Sequence, residues 1–96
     1  MKRKNILQCL VHDKQAIEGY GVKSLSIFGS VARGDEKEIS DVDILVSFNH
    51  PLGLFAFMKL RDHLEDVLGT SVDLVTEQAL HPRLRNRILK ESIHVL

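Results

Sequence analysis

The stretch Phe28-Gly29-Ser30-Val31-Ala32-Arg33-Gly34, followed after six residues by Asp41-Val42-Asp43-Ile44-Leu45-Val46, decides how this chain is read. Residues 22–28 are short, rich in β-formers and bounded by glycines, so they read as a strand. Gly29-Ser30 breaks that strand, and Ser30 can cap a short helical turn through Ala32. Residues 34–40 are polar and charged, a loop. From Asp41 to Phe48 the pattern alternates into a second strand with an apolar second half. Asp41 and Asp43 are two apart on it, so their carboxylates project from one face.

Outward from this centre the pattern is helical on both sides. Ile6, Leu7, Leu10, Val11 and Ile17 recur at helical spacing, which predicts a helix over residues 4–18, ended by Gly19 and Gly21. After the turn Asn49-His50-Pro51, the residues Phe57, Leu60, Leu64, Val67 and Leu68 mark a helix over 52–68, stopped by Gly69. Residues 71–76 form a third strand. Pro82 suits the first turn of a final helix reaching residue 91, with Leu84, Ile88 and Leu89 as its buried side. Residues 92–96 are open between a short strand and a tail. The order α-β-β-α-β-α is that of a small mixed sheet packed with helices, an α/β (α+β) fold in one domain over residues 1–96. The second and third strands, joined through a helix, should be parallel with a right-handed crossover. The first two, joined by a short linker, should be antiparallel.

Composition narrows the classes. With 96 residues, 44% hydrophobic and 27% charged, the chain is an ordinary globular one with a modest core. No apolar run approaches the ~18 residues of a membrane span, no signal peptide is visible, and a lone Cys9 fits a reducing cytoplasm. Net charge is zero, which gives no case for nucleic-acid binding. Its distribution is uneven: residues 35–77 hold ten acids and three bases, whereas 78–96 hold Arg83, Arg85, Arg87 and Lys90 against Glu91. An acidic middle between basic ends suits a cation site near groups that meet phosphate.

Two carboxylates side by side are expensive to desolvate unless a cation lies between them. Hard oxygen donors suit Mg²⁺, which typically takes one or two carboxylates and completes its shell with water and phosphate. Gly29 lets backbone approach a ligand, and Ser30 offers a hydroxyl and amides that favour phosphate. Arg33 adds a permanently charged donor set, for phosphate or for the neighbouring Asp35 and Glu36. Asp73, on the third strand, can reach the same cleft as a metal ligand or as the base for an acceptor hydroxyl. The five histidines have no metal-ligand spacing, and Tyr20 reads as a packing residue. The run Leu52–Met58 carries more apolar surface than one helix face can bury, so part of it is a candidate partner surface.

Gly29-Ser30, ten residues, then Asp41-x-Asp43, with Asp73 on a later strand, resembles the DNA polymerase β-type nucleotidyltransferase superfamily. The fuller string Gly-Ser-x-Ala-Arg-Gly…Ser-Asp-x-Asp is similar to its minimal nucleotidyltransferase (MNT) branch, and the likeness spans nearly the whole chain. It implies a polymerase β-like palm in which Asp41, Asp43 and Asp73 are the catalytic acids and hold Mg²⁺, two ions in number. Gly29, Ser30 and Arg33 would hold the triphosphate of ATP. It further implies pairing with a HEPN-domain toxin, the MNT member acting as antitoxin by transferring AMP to it; a homo-oligomer is compatible. A non-catalytic nucleotide- or toxin-binding module and a small-molecule (antibiotic) nucleotidyltransferase stay open as alternatives.

Overall fold

A computed structural model describes residues 3–34 and 41–96. Its frame is a four-stranded sheet in the order β3-β2-β1-β4. Strand β1 is Val22–Phe28, β2 Val42–Phe48, β3 Val72–Thr76 and β4 Ile93–His94. β1 and β2 are antiparallel, β2 and β3 parallel, as their connections predict. The parallel pair is joined by helix α4, Leu54–Leu68, which ends at Gly69 in the left-handed conformation.

Alternation along the strands sorts side chains onto two faces. Val42, Ile44 and Val46 of β2 are buried, with Leu25 and Ile27 of β1 and Val72 and Leu74 of β3. Over them lie Leu60, Leu64 and Leu68, spaced four apart on α4, and Ile6 and Leu10 of α1, Arg3–His12. Each fully buried Leu or Ile contributes about 1.5–3 kcal/mol, which is what fixes strand register in so small a chain. The residues between them (Asp43, Leu45 and Ser47 on β2, Asp73 and Val75 on β3) are exposed or half-buried on the opposite face. Both acids therefore belong to the face that α1 and α4 leave uncovered.

Several expectations need correction. The first helix is two: α1 stops at His12, and α2, Lys14–Glu18, begins after Asp13, whose carboxylate accepts a 2.6 Å hydrogen bond from His63 Nε2 of α4. Tyr20 packs beside that histidine, ring centroids 5.3 Å apart. Helix α3 spans Gly29–Arg33, so Ser30 lies inside it and does not cap it; the residue at the cap position is Phe28. A 3₁₀ turn over Glu77–Ala79 precedes α5, Pro82–Glu91, whose first turn is capped by His81 Nδ1 accepting from the Arg83 amide. Leu84, Ile88 and Leu89 do not form a buried side: no residue of α5 is buried, and Leu84 is 46% exposed, because the described residues leave this helix incompletely covered. The final residues supply β4, which pairs antiparallel with β1 at Ser26–His94 and Ile27–Ile93. Asp35 and Glu36, the expected partners of Arg33, lie outside the described residues.

Candidate active site

Asp43 and Asp73 are register partners on the adjacent parallel strands β2 and β3, close enough for each charge to act on the other. Asp41 stands exposed just before β2. The Asp43 carboxyl is pushed up from 3.8 to about 6, first by burial, then by the charges of Asp73 and Asp41 and by the Asp73 hydrogen bond, while the Arg33 charge pulls it down. Neighbouring negative charges and burial both disfavour the ionised form of Asp43, and a bound cation would relieve that cost. Among the described residues no group of three or more acidic, His or Cys side chains is placed to hold a metal ion, so Asp41, Asp43 and Asp73 do not converge as one ligand set. A hydrated Mg²⁺, which needs only one or two carboxylates and an open side for phosphate, fits such a pair.

The turn after β1 is built against these acids. Phe28 is the register partner of Asp43, so Gly29 follows at the level of the carboxylate. Gly29 has φ +71°, and a Cβ there would overlap Asp43 Oδ2 and lie 3.0 Å from its Cγ. Only glycine suits both constraints. Ser30 is half-buried in the same turn. At the end of α3, Arg33 Nη1 donates to both carboxylate oxygens of Glu91, each at 3.1 Å, and the Gly29 N–H donates to Glu91 Oε1 at 3.2 Å. A cavity of about 200 Å³ lies here, lined by Gly29, Arg33, Arg87 and Glu91 among others. A larger cavity, about 740 Å³, is elsewhere: it opens where β2 and β3 end, from Val46 to Leu52 and at Thr76 and Gln78. No carboxylate lines it; the smaller cavity has Glu91 in its lining and adjoins the Gly29 turn, and neither cavity is lined by Asp41, Asp43 or Asp73.

A family profile described as Nucleotidyltransferase domain matches residues 4–95. The chain belongs to the nucleotidyltransferase domain family. This nucleotidyltransferase is similar to the protein adenylyltransferase MntA of Thermococcus cleftensis, 42% identical over 84 residues that cover 88% of this chain and 85% of the relative. It is also similar to a solved structure described as a candidate minimal nucleotidyltransferase, with TM-score 0.75, 38% identity, and 97% and 95% of the two chains covered. The fold extends to a chain of a Shewanella oneidensis complex between a tri-AMPylated HEPN toxin and an MNT antitoxin, with TM-score 0.67 and 19% identity, over 94% of this chain and 71% of that one.

In this nucleotidyltransferase the residues singled out in the sequence gather at one end of the sheet: Gly29 against Asp43, Asp43 against Asp73, and the Arg33 charge within reach of Asp43. Glu91 was not among them. It is the lone acid on the basic helix α5, a weak signal that does not reveal a partner 62 residues away. Among the described residues no helix is long and apolar enough to cross a membrane.

Proposed function

We propose that the chain is a Mg²⁺-dependent protein adenylyltransferase that moves AMP from ATP to a HEPN-type toxin and so acts as its antitoxin in the cytoplasm. The observation that carries this is the pairing of Asp43 with Asp73 directly beside the Gly29 turn. The name of the Thermococcus relative and the fold shared with the Shewanella MNT–HEPN complex support it.

In this reading Asp41, Asp43 and Asp73 hold the metal, two ions when substrate is bound, and Gly29, Ser30 and Arg33 hold the triphosphate. Bound Mg²⁺ neutralises charge that develops on the phosphates and lowers the pKa of the acceptor hydroxyl. The acceptor oxygen attacks the α-phosphorus, the bond from that phosphorus to the bridging oxygen breaks, and pyrophosphate leaves with the electron pair. The hydroxyl proton passes to a carboxylate, a part this reading gives to Asp73 on the exposed side of the pair. Arg33 and the turn hold the pyrophosphate portion in line, so most of the gain comes from positioning and charge. The half-open sheet face leaves room for an acceptor carried on another protein, and the exposed Leu54 and Phe55 of α4 give that protein an apolar contact.

The test is to incubate the chain with Mg²⁺, ATP and a HEPN protein encoded beside it, then weigh both proteins intact. Gain of one or more AMP units on the partner, lost in Asp41→Asn/Asp43→Asn, is the expected result. A stable complex with no gain from any nucleoside triphosphate would replace the enzyme by a binding module.

A further inference from the structure

We propose that Glu91 is a positioning residue for the nucleoside triphosphate, a carboxylate brought from α5 to tie together the first and last residues of the Gly29–Arg33 turn. This rests on the reading of that turn as the triphosphate holder.

Helix α3 is five residues long and has no side-chain cap of its own. A single helical turn fixes many dihedrals for very few hydrogen bonds, so it does not hold its shape unaided. The residue before it, Phe28, has no side-chain oxygen to accept the orphan amides. Glu91 supplies the missing acceptor from a distance: Oε1 takes the Gly29 N–H at 3.2 Å, and both oxygens take Arg33 Nη1 at 3.1 Å. One side chain thus bridges both ends of the turn.

The contact is not a by-product of a well-packed helix. No residue of α5 is buried, and its Leu84 and Leu89 are 46% and 38% exposed. The Glu91 side chain nevertheless is only 17% exposed, against 41% for Arg33. The carboxylate is the sheltered anchor and the guanidinium the exposed end. An arginine side chain loses rotamer freedom when fixed, and holding it beforehand removes part of that loss from the binding step. Gly29 turns its Cα toward Asp43 and its N–H toward Glu91, so the anchor grips the turn away from the acids.

The full chain is tested as wild type, Glu91→Ala and Glu91→Gln, each also in an Arg33→Ala background. ATP binding with Mg²⁺ is measured by equilibrium dialysis, AMP transfer by steady-state kinetics, and folding by thermal melting. Glu91→Ala should weaken ATP binding and raise KM for ATP by roughly ten-fold, the worth of about one charged hydrogen bond, with kcat within about three-fold. Glu91→Gln, which keeps an acceptor for Gly29 but not the charge, should fall between. In Arg33→Ala the Glu91→Ala effect should shrink to about two-fold or less. Unchanged ATP affinity in folded Glu91 variants overturns the role, as does an equal loss with and without Arg33. Tighter ATP binding also overturns it, since the carboxylate would then be competing with phosphate. A wild-type chain that binds no ATP overturns the functional reading itself, and this role with it.

Discussion

Replacing Asp43 by Asn should make the metal-free protein more stable at neutral pH, although it removes a side chain central to the site. The folded carboxyl has its pKa raised from 3.8 to about 6, so the folded chain holds this proton more tightly than the unfolded chain does. Between about pH 4 and 6, unfolding therefore releases a proton, and stability falls as the pH rises through that window. Above it the folded protein carries the full cost of an ionised Asp43 beside Asp73 and Asp41. Taken at face value that is about 3 kcal/mol. The site is only half-buried, and water and salt reach it, so about 1–2 kcal/mol is the working figure. For a domain of this size that raises Tm by roughly 5–10 °C. The assay is thermal melting of wild type and Asp43→Asn at pH 7.5 and pH 4 in chelator, then at pH 7.5 with Mg²⁺. The variant should melt higher at pH 7.5 and close to wild type at pH 4, and Mg²⁺ should raise the wild type more than the variant. A variant that melts at or below wild type at pH 7.5 without metal refutes the reasoning, as does a gain undiminished at pH 4.

Other perturbations address different links. Gly29→Ala places a Cβ on Asp43 Oδ2 at φ +71°; it should abolish nucleotidyl transfer and destabilise the chain by more than about 1–2 kcal/mol, read by denaturant unfolding. Leu64→Ala removes a fully buried side chain between α4 and the sheet and should lose about 2–5 kcal/mol by the same measurement. Leu54→Asp/Phe55→Asp alters side chains that are 71% and 80% exposed; stability should stay within about 0.5 kcal/mol, while co-purification with the HEPN partner falls at least ten-fold.

Those parts of the fold that depend on local period were legible in the sequence. Leu60, Leu64 and Leu68 recur four apart because one helix face packs on the sheet, and Val42, Ile44 and Val46 alternate because one strand face does. The parallel neighbourhood of β2 and β3 followed from their helical crossover, and it placed Asp73 within reach of Asp43 before the register was known. Features set by distant partners were not legible. The break at Asp13 has no glycine or proline to signal it; that carboxylate meets His63, 50 residues on. The apolar residues of α5 follow a helical pattern, but period says nothing of whether a second layer will cover them. β4 is two residues long, too short for any pattern, and exists because β1 offers it an edge.

The candidate site is where the chain departs from what folding alone favours, and the departures share one location. Gly29 adopts a backbone conformation that side chains avoid. α3 begins at a residue unable to cap it. Asp43 and Asp73 place two acids in register where hydrophobic or paired residues would be cheaper. Each departure alone has a bland explanation, and each destabilises the chain by an amount a small domain feels. The proposed function accounts for the three together: a cation between the acids and an anionic ligand against a turn that Glu91 holds from its other side. In that proposal the sheet face that α1 and α4 leave open, which carries Asp43 and Asp73, is the surface that meets the ligand.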